Sequence, residues 1–172
     1  MTLKFVQDTS ILDAEQMYRI NIVNCRNIFD KKVRNKFPIV YQEYRKLFLN
    51  ADLELCDSYM GKIHPIFVGG DKGWVINVFA EQFPYLIKFS AFEQCLNKVK
   101  NYILKESPVL FHELAIEVNP MHREFYKHIF KRIFEDTDFE IYIYDKFLDD
   151  FFELDIIYLC KSFNLKIFFV FL

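Results

Sequence analysis

The chain has 172 residues, of which 52% are hydrophobic and 19% aromatic, and its formal net charge is −2. This length suits one domain with one core, and this composition excludes a disordered chain. The small net charge neither favours nor excludes the binding of nucleic acid. Four widely spaced cysteines without a C-x-x-C pair exclude zinc-type spacing. They favour free thiols in a reducing compartment, so we expect a cytoplasmic protein.

Alternating and helically spaced apolar residues predict strands and helices in turn along the first half of the chain. Strands are predicted at Leu3–Val6 and Tyr18–Asn24. A helix begins at Pro38, whose missing N–H is harmless in a first turn. The runs Gly61–Val68 and Trp74–Ala80 flank a turn that contains glycine, which predicts a β-hairpin.

The second half continues the alternation of element types. Ser90 is predicted to be the N-cap of a helix, and strands are predicted at His112–Val118 and Phe139–Asp145. Between these strands, a helix over 121–135 is predicted to bury Phe125, Ile129, Phe130 and Ile133. Strands interleaved with helices predict one three-layer α/β domain over 1–172, with a mixed sheet flanked by helices on both faces.

The order of these segments resembles the macro domain family, and most its branch of ADP-ribose-1″-phosphate phosphatases and terminal ADP-ribose protein glycohydrolases. The matching segments are Phe5–Ser10, Ile22–Arg26, Val33–Pro38, Tyr41–Tyr44, Gly61–Val68, Trp74–Gln82, Ala91–Lys105, Leu114–Ile116 and Ile141–Tyr144. Together they cover roughly 3–145. The resemblance implies the same mixed-sheet fold and an ADP-ribose site.

Two departures fall on the family's glycine-rich phosphate loops. After the strand that ends in Asn-Cys, the family has a Met-Gly-x-Gly type of loop, whereas Arg26–Lys32 contains no glycine and is shorter. After a later strand it has Pro-x-Ile-Gly-x-Gly, often with a catalytic Asp, whereas this chain has Glu117–Met121. Backbone amides that approach a phosphate closely need glycine. The resemblance therefore implies a degenerate domain, a pseudoenzyme without catalytic residues.

The resemblance also implies the ligand-binding residues, which are Asp8, Asn24, Cys25, Arg26, Asn119 and Tyr144. Asp8 corresponds to the family residue that bonds the adenine amino group, and Asn24 to the one that contacts the distal ribose. Both have ordinary alternatives, because an Asp can cap a turn and an Asn at a strand end can satisfy backbone groups. No metal or cofactor is expected, since His122 and His128 fall on opposite sides of a predicted helix.

Two basic runs could hold phosphate through side chains in place of backbone amides. The first comprises Arg26, Lys31, Lys32, Arg34 and Lys36, and the second comprises Arg123, Lys127, Lys131 and Arg132. Such runs could also bind nucleic acid. A solvated helix face is the commoner explanation, so nucleic acid is not the favoured partner.

Three functions stay open on the sequence. The first is binding of ADP-ribose or a related nucleotide derivative without turnover. The second is an interaction protein that uses the fold to bind and inhibit a partner protein. The richness of the chain in Phe, Ile, Lys and Asn is typical of AT-rich genomes and favours a virus, a phage or a low-GC microbe as its source. A viral protein of this kind would act in the host cytoplasm. The third, an ADP-ribose hydrolase, ranks last because the preorganised donors that turnover needs are missing.

The segment 146–172 lies beyond the resemblance and predicts an added helix and strand. Its end, Phe163–Leu172, is very apolar but only ten residues long and contains Lys166. A membrane span needs about 20 apolar residues, so we expect no membrane partner. Burial of large apolar side chains contributes about 1.5–3 kcal/mol each. We therefore expect this strand to extend the sheet or to pair two copies in a homodimer.

Deletion of Phe163–Leu172 should accordingly give insoluble or much less stable protein, because several buried side chains would lose their packing. Soluble yield, urea denaturation and sedimentation of the full and truncated chains measure this. A truncated chain that stays soluble, monomeric and equally stable would identify the segment as dispensable.

Overall fold

The computed structural model describes residues 1–7, 9–26, 29–49, 56–83, 86–106 and 112–145. The strands are Thr2–Val6 (β1), Tyr18–Asn24 (β2), Ile63–Phe67 (β3), Trp74–Phe83 (β4), Leu86–Ile87 (β5), His112–Val118 (β6) and Phe139–Asp145 (β7). The α-helices are Lys31–Lys36 (α1), Pro38–Phe48 (α2), Cys56–Tyr59 (α3), Phe89–Glu106 (α4) and Arg123–Phe134 (α5). The predicted segment 146–172 lies outside the described residues, so its helix and strand stay predictions.

The seven strands form one mixed sheet in the order β1-β7-β6-β2-β4-β3, with β5 paired to β4. Strands β1, β7, β6, β2 and β4 run parallel, and β3 runs antiparallel to β4. The carboxyl ends of the five parallel strands therefore meet at one edge of the sheet, which we call the carboxyl edge.

Both faces of the sheet are covered by helices. On the face that we call the α4/α5 face, strand residues such as Ile76 and Ile116 pack against Leu96 of α4 and Phe130 of α5. On the opposite face, the α2 face, Tyr44 of α2 packs against strand residues on one side. A 3-10 turn at Ile11–Asp13 packs there on the other side. The predicted three-layer α/β architecture is confirmed.

The predicted hairpin is formed by β3 and β4, and glycines close it. Gly69, Gly70 and Gly73 all have positive φ in the connection between the two strands. At Gly73 a Cβ atom would also collide with the backbone carbonyl of Met17. These three glycines lie where β4 begins, at the edge of the sheet opposite the carboxyl edge. They therefore shape the hairpin.

Two details of the helices differ from the prediction. Helix α4 begins at Phe89, so Ser90 lies inside its first turn and is not the residue that precedes it. In α5, Phe125 is 41% exposed, whereas Tyr126 is fully buried. Ile129, Phe130 and Ile133 are buried as predicted. The prediction for Phe125 was wrong because this residue lies in the first turn of α5, at the rim of the core.

Strand β2 contains a buried cation that sequence reasoning passed over. Arg19 donates through Nε to the Ala14 carbonyl oxygen at 3.0 Å, and its Nη atoms donate to the carbonyl oxygens of Ala14 and Lys72. Burial lowers the pKa of Arg19, but a guanidinium stays charged in proteins. These bonds fasten β2 to the segments that precede β2 and β4.

Among the described helices, none is both long and apolar enough to cross a membrane.

Candidate functional site

The carboxyl edge gathers most of the predicted ligand-binding residues, and α/β sheets bind ligands outside this edge. Asn24, Cys25 and Arg26 follow one another at the end of β2, and Asn119 follows the end of β6. Tyr144 is the penultimate residue of β7. Asp8 lies outside the described residues, so its contact with adenine stays a prediction.

Asn24 shapes the turn that leaves β2. Its side chain is buried, and its Oδ1 accepts a hydrogen bond from the backbone N–H of Arg26 at 2.9 Å. An asparagine that bonds the amide two residues further on forms an Asx turn. The backbone carbonyl of Asn24 in turn accepts from the hydroxyl of Tyr44 at 3.0 Å. Asn24 thus satisfies backbone groups, as its ordinary alternative predicted, and its ribose contact stays a prediction.

A bulge places Glu81 beside Asn24. Val23 pairs with Phe79, but the register shifts by one residue and Asn24 pairs with Glu81. This register makes Asn24 and Glu81 neighbours on adjacent strands. Val23 packs on the α2 face, which directs the next residue, Asn24, towards the α4/α5 side. Glu81 is only 7% exposed, and the N–H of Cys25 donates to its carbonyl oxygen at 3.0 Å.

Sequence reasoning missed Glu81, although one signal was available. The carboxylate comes directly after a buried apolar stretch of β4 and so ends it. A charged side chain is rarely buried without a partner or a function. The bulge that turns Glu81 towards Asn24 could not be foreseen, because it depends on the pairing of two strands that are distant in sequence.

Tyr126 of α5 lies near the same place on the α4/α5 side. It is fully buried, and its hydroxyl has no hydrogen-bond partner among the described residues. Burial first, and the negative charge of Glu81 second, raise the pKa of Tyr126 above its ordinary value. The phenol therefore stays protonated at physiological pH. In the sequence, the one indication of this residue was a tyrosine hydroxyl among the apolar residues of a predicted helix face.

Two predicted residues have their side chains on the other face of the sheet. Cys25 is buried in a cluster with Val23, Tyr44 and Phe79 on the α2 face. Tyr144 is buried there as well, and its hydroxyl donates to Oε1 of Gln16 at 2.9 Å. The structure thus brings Asn24 and Glu81 together and places these two side chains across the sheet from them. Ligand contact by Cys25 and Tyr144 stays a prediction.

Asn119 lies between β6 and α5, at the position of the second family loop. Its side chain accepts a hydrogen bond from the N–H of Met121 at 2.9 Å and caps the 3-10 turn Pro120–His122. The backbone here is thus folded tightly into the start of α5.

Within the described residues, no three His, Cys, Asp or Glu side chains gather closely enough to hold a metal ion.

Most of the second basic run is neutralised by nearby carboxylates. Arg123 pairs with Asp145 of β7. Lys127 pairs with Glu124 at 2.5 Å, and Arg132 with Glu93 of α4 at 2.5 Å. Cations that are already paired attract a phosphate weakly. The solvated helix face was therefore the better interpretation of this run.

Solved structures of macrodomains match most of this chain. The macrodomain of Thermus aquaticus DarG has a TM-score of 0.65 at 18% identity, over 84% of this chain and 99% of that one. The macrodomain of Mycobacterium tuberculosis DarG has a TM-score of 0.63 at 15% identity, over 85% and 99% of the two chains. This chain has the macrodomain fold.

A third similar structure is Thermosipho africanus DarTG in complex with ADP-ribose, with a TM-score of 0.61 at 16% identity. The match covers 86% of this chain and 42% of that one. No family model matches the sequence, and neither does any curated protein. The similarity therefore lies in the fold, and it confirms the resemblance that the order of segments predicted.

Two buried tyrosines offer a matched test of how the turn at Asn24 is held. The Tyr44→Phe change removes a hydrogen bond to a buried carbonyl and should destabilise the protein by about 1–2 kcal/mol. The Tyr126→Phe change removes a hydroxyl without a partner in the described residues, so stability should stay equal or rise. Urea denaturation of both variants measures the difference. Equal losses would contradict the assignment of the Tyr44 bond.

Proposed function

We propose that the chain binds ADP-ribose or a related nucleotide derivative at the carboxyl edge and does not turn it over. The observation that carries this proposal is the buried polar pair of Asn24 and Glu81 near the carboxyl ends of two neighbouring strands. This pair lies at the edge where α/β sheets bind ligands. The complex of Thermosipho africanus DarTG with ADP-ribose supports the choice of ligand.

The chemistry of the pair favours the sugar end of such a ligand. A carboxylate accepts hydrogen bonds and an amide both donates and accepts, so together they suit ribose hydroxyls. The same carboxylate repels a phosphate. We therefore assign the distal ribose to Asn24 and Glu81, in keeping with the resemblance. The diphosphate is assigned to the Arg26 side, where a guanidinium can hold phosphate through two parallel bonds.

The absence of turnover follows from the connections at this edge. Acceleration of the reaction needs donors that are fixed where charge develops in the transition state. The stretch Arg26–Lys32 contains no glycine to bring backbone amides against the phosphates. Asn119 holds the other connection in a tight turn that leads into α5. Binding by side chains alone supports recognition better than catalysis. The buried thiols of Cys25 and Cys95 fit the proposed cytoplasmic location.

Calorimetric titration with ADP-ribose tests the binding site. The wild-type chain should bind, and Asn24→Ala and Glu81→Gln should each lower the affinity tenfold or more, equivalent to about 1.4 kcal/mol or more. The matched control is Asn101→Ala, at an exposed position of α4 outside the site. ADP, which lacks the distal ribose, should bind Asn101→Ala like the wild type and should lose no affinity for Glu81→Gln.

The Glu81→Gln variant is included because Asn24 also shapes its turn, so its replacement could act through folding. Circular dichroism and thermal melting of each variant separate the two effects. A wild-type chain that gives no heat with ADP-ribose would reject the proposed ligand. Equal binding by the wild type and both site variants would reject the proposed location.

Incubation with an ADP-ribosylated protein tests the proposed lack of turnover. We expect no release of ADP-ribose above the protein-free blank, and no change in that result for Asn24→Ala. Chromatography of the released nucleotide measures both. Robust release that Asn24→Ala abolishes would show that the chain is a hydrolase despite its glycine-free connections.

One observation favours the second function, binding of a partner protein. The rings of Phe89 and Phe125 are in contact, with centroids 4.1 Å apart, and both are more than one-third exposed. Leu86 and Met121, nearby along the chain, are also exposed. Exposed apolar patches commonly mark protein-binding surfaces. If ADP-ribose does not bind, binding of a partner protein through this patch becomes the favoured function. A homodimer through the C-terminal strand remains a separate proposal.

A further inference from the structure

Helices α1 and α2 carry two exposed guanidiniums beside one aromatic ring, and a third exposed cation next to one of them. Cζ of Arg34 lies 5.6 Å from the centroid of the Tyr41 ring, and Cζ of Arg45 lies 5.9 Å from it. Nη1 of Arg45 also donates to the Tyr41 hydroxyl at 3.4 Å. Lys31 precedes Arg34 by three residues and so is its neighbour on the surface of α1. We call Lys31, Arg34, Tyr41 and Arg45 the α1–α2 patch.

None of the three cations of the α1–α2 patch has a carboxylate within ion-pair distance in the described part of the chain. The nearby acidic side chains are engaged elsewhere. Oδ1 of Asp30 accepts from the N–H groups of Lys32 and Val33 at 2.7 and 3.0 Å. Glu43 pairs with Lys46 at 2.5 Å. The patch therefore presents positive charge that nothing described on the protein neutralises.

The second basic run of the chain makes the contrast clear. There, Arg123, Lys127 and Arg132 each pair with a carboxylate. A chain with a net charge of −2 can neutralise its cations, and it does so on α5. On the α1–α2 patch it leaves two guanidiniums beside a tyrosine instead. The arrangement of charge, and not its amount, distinguishes this surface.

We propose that the α1–α2 patch binds the phosphodiester backbone of a nucleic acid. A guanidinium matches a phosphate through two parallel hydrogen bonds, better than an ammonium does. Contact with the Tyr41 ring restrains both guanidiniums, so they lose less conformational freedom on binding. Repeated single phosphates suit separate cations on one surface. The planar guanidiniums and the ring also offer faces on which bases can stack.

The α1–α2 patch adjoins the proposed ADP-ribose site without sharing a residue with it. The Tyr41 ring contacts Phe29, whose ring contacts Tyr44, with centroids 5.5 and 4.7 Å apart. Tyr44 in turn bonds the carbonyl of Asn24. Two rings thus separate the patch from the end of β2. Either proposal can therefore fail without the other.

Fluorescence anisotropy with a labelled oligothymidylate of about twenty nucleotides tests the proposal in the absence of ADP-ribose. The logarithm of the association constant should fall with the logarithm of salt concentration, by about 0.7 for each phosphate neutralised. The double variant Arg34→Gln/Arg45→Gln should lower this slope by about 1.4, since two contacts are lost. Its affinity at low salt should fall at least tenfold. Arg132→Gln is the matched control, because Glu93 already holds that guanidinium.

Three results would overturn the proposal. The wild-type chain could fail to bind the oligonucleotide at low salt. The double variant could bind with the same affinity and salt dependence as the wild type and Arg132→Gln. Finally, polyglutamate could displace the oligonucleotide as effectively as unlabelled oligothymidylate does, which would assign the surface to acidic polypeptides. Both variants replace exposed side chains on helix surfaces, and circular dichroism verifies that they fold.

Discussion

Strand β2 lies between β4 and β6 in the middle of the sheet, yet it carries polar side chains that are shielded from water. Polar groups in such a place need partners within the protein, because they lose their hydration. Arg19 bonds carbonyls of the segments that precede β2 and β4, Asn21 bonds Asn77 of β4 at 2.7 Å, and Asn24 bonds the amide of Arg26. These bonds fix where β2 ends, and the candidate site is built on that end.

The strands that the sequence predicted best are those in which apolar residues recur at every second position. Tyr18–Asn24, His112–Val118 and Phe139–Asp145 have the predicted bounds, because alternation leaves one register that buries the apolar set. Helix starts were harder to predict. Asn119 caps a 3-10 turn before α5, and no apolar pattern reveals that turn. The burial of Phe125 was predicted wrongly because this residue lies in the first turn of α5, at the rim of the core.

The candidate site could be predicted only in part, for a related reason. The resemblance pointed to Asn24 through its position at a strand end. Glu81 reaches the same place through a bulge, which depends on the pairing of β2 with β4 and leaves no mark in either segment alone. Tyr44 was recognised only as part of an apolar stripe, since the bond from its hydroxyl to Asn24 joins residues that are 20 positions apart. Local patterns predict elements, whereas sites arise from contacts between elements.

The positions of the glycine residues bear on how the candidate site can hold a phosphate. Gly69, Gly70 and Gly73 close a hairpin at the edge of the sheet opposite the candidate site. The stretch Arg26–Lys32 at the carboxyl edge contains no glycine, so the proposed site holds a phosphate through side chains such as Arg26. Backbone amides fixed by a loop are already oriented when charge develops, but a flexible cation must be ordered during binding, at a cost in entropy. A site of that kind can recognise an anion in a salt-dependent manner. It is poorly suited to stabilise a transition state more strongly than the bound ligand, and catalysis requires that difference.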